Sequence, residues 1–217
     1  MTNKELENLA RELVLKGLNA RQIHEAALEY LTEEELSQLW SIPRKNIYEF
    51  VTNCLDRFAC KPPFLDLGCG RRSYKPEITE RFGVDTLFIA LDHYFPDDKT
   101  NPKRLPNLLA DACYLPLPSS SINTVICTEL LEHIENDNVV MAEISRVTEK
   151  NGLLILTLPG AHIPKHDKPP YQIDHRRYRK ENLNNLLSTH GFDILYFENK
   201  SLFGLEINLF AVGQKVR

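Results

Sequence analysis

The chain has 217 residues, 42% hydrophobic and 26% charged, with a net charge of −4 at neutral pH. That length suits one domain of ordinary size, or one domain with an extension, and the apolar share supports a real core. A globally basic nucleic-acid binder is excluded, though a local basic patch is not, and no apolar run approaches the roughly 20 residues that span a bilayer. The polar start MTNKELENLA has no apolar signal-peptide core. The five cysteines, Cys54, Cys60, Cys69, Cys113 and Cys127, make no CxxC pair and come to an odd count. They read as reduced thiols of a cytoplasmic protein, not as a zinc cage.

The first 60 residues have a helical texture. Leu6, Leu9 and Leu13 keep helical spacing, with Gly17 and Asn19 as a stop; Ile23, Ala26, Ala27 and Tyr30 make a second stripe. Thr32 followed by Glu33, Glu34 and Glu35 reads as a capping box opening a third helix. Pro43 suits the first turn of a fourth, running to about Phe58 before the breaker CKPPF. Residues 1–60 are thus expected to be a helical extension, a lid over the strand ends or a homodimerisation arm, and 61–217 the main domain.

From residue 63 the texture alternates. FLDL is a short buried strand, Tyr74–Phe82 a helix, TLFIALD a strand closing on Asp92, NLLADA a strand closing on Asp111, and INTVICT a fourth strand. Glu129–Ile134 begins a helical stretch that Asn138–Glu149 continues; Gly152 opens the strand LLILTLP; residues 159–178 form a long loop; a helix spans about Arg179–His190; FDILYFE and EINLFAV close the chain as antiparallel strands. This alternation predicts a Rossmann-like α/β fold, a seven-stranded, mostly parallel sheet with helices on both faces. Ligands of such sheets sit at the carboxyl ends of the strands, near the point where strand order switches.

Gly68 and Gly70 lie at such an end, before a helix. A dinucleotide loop wants GxGxxG, but the third glycine position holds Ser73. S-adenosylmethionine has no phosphate and does not need that contact. Asp66 can order the loop, Asp92 is placed to accept both ribose hydroxyls, and Asp111 to take the adenine amino group.

LDLGCG, IALD, LLADACYLPLPSSSINTVICTELLEHI and EISRVTEKNGLLILTLP follow one another in this order. Over roughly residues 62–213 the chain resembles the class I S-adenosylmethionine-dependent methyltransferases of the methyltransferase type 11 group. The resemblance implies S-adenosyl-L-methionine as cofactor. It places contacts at Asp66, Gly68, Cys69, Gly70, Asp92, Asp111, Ala112 and Thr128, to which the adjoining His93, Cys113 and Glu129 are added. RRSY departs from the family where many members carry a third glycine, which bears on the shape of the loop.

The chemistry is less determined. Methyl transfer is an in-line displacement in which alignment carries much of the rate, and a base is needed only when the nucleophile keeps a high-pKa proton. Glu129, Glu132 and His133, spaced i, i+3, i+4, would project from one face of a helix. Residues 159–183 bring His162, His166, Asp174 and His175 together with Arg176, Arg177, Arg179, Lys180, Tyr171 and Tyr178. That basic, aromatic segment is expected to face an acidic substrate. His133, Asp174 and His175 are the candidate bases. The order ExxEH…DH also resembles small-RNA 3′-terminal 2′-O-methyltransferases, which would make Glu129, Glu132, His133 and His175 metal ligands; RRYRKENL departs from that family, and no metal is expected. The leading expectation is a methyltransferase acting on O or N of a small, acidic molecule. The alternatives are an enzyme acting on an RNA or protein end, and a cofactor- or partner-binding module without turnover.

Overall fold

The structure, a computed structural model, describes residues 3–18, 20–95, 101–165, 167–168, 172–202 and 205–217. Asn19, His166 and Tyr171, singled out above, lie outside the described residues. Three helices come first: α1 (Asn3–Leu15), α2 (Ala20–Ala27) and α3 (Glu33–Arg57). Gly17 ends the first helix at φ +70, a left-handed conformation that glycine adopts without a Cβ penalty. Leu13, Ile23, Ala27 and Leu36 gather into a small apolar cluster that ties the first two helices to the start of α3.

The expected third and fourth helices are one, with Pro43 inside it. Thr32 caps it as predicted: the Glu35 N–H donates to Thr32 Oγ1 at 3.3 Å and the Thr32 N–H to Glu35 Oε2 at 2.9 Å. Proline costs an interior hydrogen bond. Packing on both sides outweighs that cost: Leu36 is buried in the N-terminal cluster, while Ile47, Phe50, Val51, Cys54 and Leu55 form a helical stripe against the sheet.

The sheet contains β1 (Phe64–Leu67), β2 (Phe88–Asp92), β3 (Leu108–Leu109), β4 (Ile122–Thr128), β5 (Thr148–Pro159), β8 (Phe192–Leu202) and β9 (Leu205–Lys215). Its order is β3-β2-β1-β4-β5-β9-β8. The first five of these strands run parallel; β9 is antiparallel to both neighbours, as expected for the last two strands. A hairpin, β6 (Asp167–Lys168) with β7 (Gln172–Ile173), stands within what reads from sequence as an uninterrupted loop.

Helix α4 (Lys75–Phe82) lies on the face shared with α3, while α5 (Asp137–Val147) and α6 (Lys180–Thr189) cover the other. The pleat sorts the side chains: Leu154, Leu156, Leu158, Leu209 and Ala211 go to the α5–α6 core, and Leu153, Ile155, Phe210 and Val212 to the α3–α4 core. Burial on both faces explains why these strands read as continuous apolar runs.

Three local expectations fail. NLLADA pairs only at Leu108–Leu109, so Asp111 lies beyond the strand. Residues 129–134 hold only a three-residue 3₁₀ turn, Leu131–His133. Glu129 stands outside it at φ +48, so the predicted helical face of Glu129, Glu132 and His133 does not form. Strand β5 begins at Thr148, before Gly152, because Thr148 pairs with Ile122 across a register shift.

Candidate active site

Strand order reverses direction between β1 and β4, and the carboxyl ends of these strands flank a cleft. The loop after β1 divides it. On the β2–β3 side a cavity of about 890 Å³ is lined by Asp92, His93, Asp111, Ala112, His133 and His175, among others. Towards α3 a second cavity, of about 1150 Å³, is lined by Asp66, Cys69, Tyr74, Thr128, Arg44 and Tyr48, among others. Gly68, Gly70, Arg71, Tyr94 and Glu129 border both. Each cavity has the size of a full ligand site, commonly about 300–1,000 Å³.

The acidic residues predicted from sequence converge here. Asp66 is buried and accepts the Tyr74 N–H at 2.8 Å. Burial pushes its carboxyl up to about 7, against the hydrogen bonds from Tyr74 and Ser73. Asp92 accepts the Gly70 N–H through Oδ2 and the His93 N–H through Oδ1, both at 2.8 Å. The carboxylate at the end of β2 therefore holds the glycine loop in place. Asp111 is exposed and accepts the Cys113 N–H at 2.8 Å, which sets its turn. Cys113 itself lines neither cavity. Sequence reasoning missed Leu109, Leu130 and Tyr94 as cleft walls, and Arg44, Lys45 and Tyr48 of α3. Apolar residues and a helix far upstream carry no motif that marks them as lining.

Glu129 is a left-handed, non-glycine residue at the end of β4, a conformation costing on the order of 1 kcal/mol. β5 holds it there: the Glu129 N–H donates to Thr157 O at 3.1 Å, and Thr157 Oγ1 donates to Glu129 Oε1 at 2.9 Å. Burial and the nearby Glu132 carboxylate raise the Glu129 pKa well above the ordinary range.

The candidate bases are arranged differently from expectation. His133 Nδ1 sits 2.9 Å from Asp174 Oδ1 and Nε2 3.6 Å from Glu132 Oε1. Burial opposes the charge on this imidazole, but the bond to Asp174 and the Glu132 carboxylate outweigh it and raise its pKa. Glu132 is itself buried, with Oε2 unpartnered, and burial pushes its carboxyl up to about 7. Asp174 is sealed behind His133 and also pairs with Arg177 at 2.6 Å. His175 is exposed at the cleft, its N–H donating to Glu132 O at 2.8 Å. Among the described residues no three of His, Cys, Asp and Glu are grouped to hold a metal ion.

The basic segment after β5 does not present its charges as predicted. Arg176 pairs with Asp137 at 2.9 Å and donates to Glu135 O; Arg177 also donates to Ile163 O at 2.7 Å and Pro164 O at 2.6 Å. Lys180 lies over the Phe197 ring at 5.1 Å. Tyr178 is core, its hydroxyl donating to Asp137 at 2.8 Å. His162 is occupied too, its Nδ1 accepting the Glu206 N–H at 3.0 Å. These groups build the loop and have partners of their own.

The open α/β sheet places its ligand cleft at the switch point, with Asp66 and Asp92 on successive strands and Asp111 just beyond the third. Residues 65–156 match the family described as a methyltransferase domain. A Mycobacterium tuberculosis protein named a probable S-adenosylmethionine-dependent methyltransferase is 26% identical over 139 residues, 59% of this chain and 47% of its own length. The chain thus spans about half the length of the curated relatives it matches. The solved structure of Burkholderia thailandensis 1,6-didemethyltoxoflavin-N1-methyltransferase superposes with a TM-score of 0.58 at 15% identity, covering 92% of each chain. A Haemonchus contortus phosphoethanolamine N-methyltransferase, in complex with S-adenosyl-L-methionine, gives 0.58 at 15% identity over 78% of this chain and 53% of its own. Residues 65–156 thus resemble a methyltransferase domain, and the chain shares its fold with S-adenosylmethionine-dependent methyltransferases. No described helix is long and apolar enough to cross a membrane.

Proposed function

We propose that the protein transfers a methyl group from S-adenosyl-L-methionine to an O or N atom of a small molecule. The observation that carries this reading is the meeting of two ligand-sized cavities at the glycine loop, one walled by Asp92 and Asp111 and the other open towards α3. The first suits the adenosine, with Asp92 on the ribose, Asp111 and Ala112 at the base, and His93 and Leu130 beside them. Asp66, Gly68, Cys69, Gly70, Thr128 and Glu129 suit the remainder. The loop fits close approach: a Cβ on Gly68 would lie 2.9 Å from Leu130 Cδ1.

When bound, the cofactor supplies the methyl group on an activated sulfonium. The chain's part is alignment and exclusion of water, worth several powers of ten when the reacting atoms are held in line. His133, 2.9 Å from Asp174 and 3.6 Å from Glu132, positions the 172–177 segment. His175, the exposed imidazole at the cleft, is the group suited to take a proton from an acceptor that retains one. The free thiols fit a reducing, cytoplasmic setting. The 176–177 segment offers little to an RNA backbone, since its arginines are already paired.

Incubation with methyl-labelled cofactor and fractionated extracts tests the reading. Label is expected in a low-molecular-weight fraction; label confined to RNA or protein, or absent while the cofactor binds, would overturn it. Gly68→Ala checks the loop independently. With φ at +72 and Leu130 in the way, stability is expected to fall by about 1–2 kcal/mol, and cofactor binding to weaken. Thermal denaturation and calorimetric titration report the two effects; an unchanged affinity would move the cofactor away from this loop.

A further inference from the structure

Two sets of described arginines contrast. Arg81, Arg104, Arg146, Arg176 and Arg177 each pair with a carboxylate. Arg44, Arg71 and Arg72 have no described carboxylate within the 4.0 Å of an ion pair, and all three line the cavity beneath α3. Lys45 stands beside them, with only a long 3.8 Å approach to the exposed Glu49. In a chain of net charge −4, this concentration of cations at one cavity mouth, three of them without a counter-ion among the described residues, is a local inversion of charge.

The same cavity is also lined by two acids, Asp66 and Glu129. Tyr48 and Tyr74, likewise in its lining, stack with ring centroids 6.3 Å apart and planes at 19°. The cavity therefore combines acidic groups, an aromatic wall and exposed guanidiniums.

Resting on the methyl-donor reading above, we propose that the cavity beneath α3 is the acceptor chamber and that Arg44, Arg71 and Arg72 bind an anionic group, phosphate or carboxylate, on the acceptor. Guanidiniums recognise both anions through paired, charge-assisted hydrogen bonds. The anion anchored at the rim leaves the rest of the acceptor to extend along the tyrosines towards the glycine loop. This assigns the acidic-substrate recognition expected from sequence to α3 and the loop after β1, and not to the segment after β5.

The test uses the full chain and calorimetric titration with inorganic phosphate and with malonate, each with and without saturating S-adenosylhomocysteine. Binding of at least one anion is expected, with phosphate alone indicating a phosphorylated acceptor and malonate alone a carboxylated one. The double variant Arg44→Gln/Arg72→Gln, at two positions that do not line the β2–β3 cavity, is expected to weaken that binding at least tenfold. Its affinity for S-adenosylhomocysteine and its melting temperature should stay at wild-type values. Arg179→Gln, an exposed cation outside both cavities, should change nothing. Absence of anion binding, or equal binding by the double variant, would overturn the proposal. So would a matching loss of S-adenosylhomocysteine affinity, since the rim would then grip the cofactor's own carboxylate. Failure of the wild type to bind S-adenosylhomocysteine would instead overturn the donor reading, and the acceptor role with it.

Discussion

Asp92→Ala is expected to bind S-adenosylhomocysteine at least about tenfold more weakly than the wild type, and about a hundredfold if both ribose hydrogen bonds are lost in full. Hydrogen bonds to a charged group contribute roughly 1.5–3 kcal/mol each, and 1.4 kcal/mol is tenfold in affinity. A second loss acts in the same direction. The Asp92 carboxylate also receives the Gly70 and His93 N–H groups, so alanine frees the loop that both cavities share. Asp92→Asn keeps one acceptor oxygen and should fall between the two. Calorimetric titration decides, and wild-type affinity in Asp92→Ala would remove the carboxylate from the cofactor site. NAD should show no binding.

Stability should fall as pH rises through neutrality. Asp66 and Glu132 have folded-state values of about 7, against roughly 4 in the unfolded chain. Between those limits the native state holds more protons than the unfolded state, so stability declines with increasing pH. His133 acts in the same sense: its folded value is raised, so its contribution is fully present below the unfolded value of about 6.5 and is lost as pH rises through the folded one. Paired acids of lowered pKa, such as Asp56, Glu77 and Glu143, work in the opposite sense, at more acidic pH. The melting temperature is therefore expected to be higher at pH 5.5 than at pH 8, and Glu132→Gln should flatten the slope. A higher value at pH 8 in the wild type would contradict the buried-acid account. Asp174→Ala is the sharper perturbation, because it leaves Arg177 and His133 without their shared counter-charge. Breaking a buried pair in this way costs about 3–5 kcal/mol. At about 2–4 °C per kcal/mol for a chain of this size, melting should drop by about 6–20 °C.

What could be read from sequence follows from which interactions are local. The sheet was legible because β1, β4, β5 and β9 are buried on both faces and run apolar without interruption. The loop was legible because Asp66, Gly68 and Gly70 serve one turn. Helix α3 was misread at Pro43, where the local rule says stop and two distant apolar clusters hold the helix together. Residues 129–133 look helical in composition, but Thr157 on β5 pulls Glu129 into a left-handed conformation, and nothing near residue 129 announces that partner. The same reason hid the fate of the arginines: Arg176 finds Asp137 on α5, while Arg44 and Arg72, well apart in sequence, end at one cavity with no counter-ion among the described residues.

The placement of α3 has an evolutionary consequence. Its later turns are anchored in the core through Phe50, Val51 and Cys54, while Arg44 and Lys45 on the same helix face a cavity and make no demand on that core. Substitutions at such surface positions usually shift stability by no more than about 0.5 kcal/mol. The wall beneath α3 can thus diversify from lineage to lineage at little risk to folding. Asp66 and Asp92, which hold the glycine loop, have no such freedom. The family match begins at residue 65, after α3 has ended. Kinship in this chain is carried by the half that holds the loop, and novelty has room to accumulate in the helix above it.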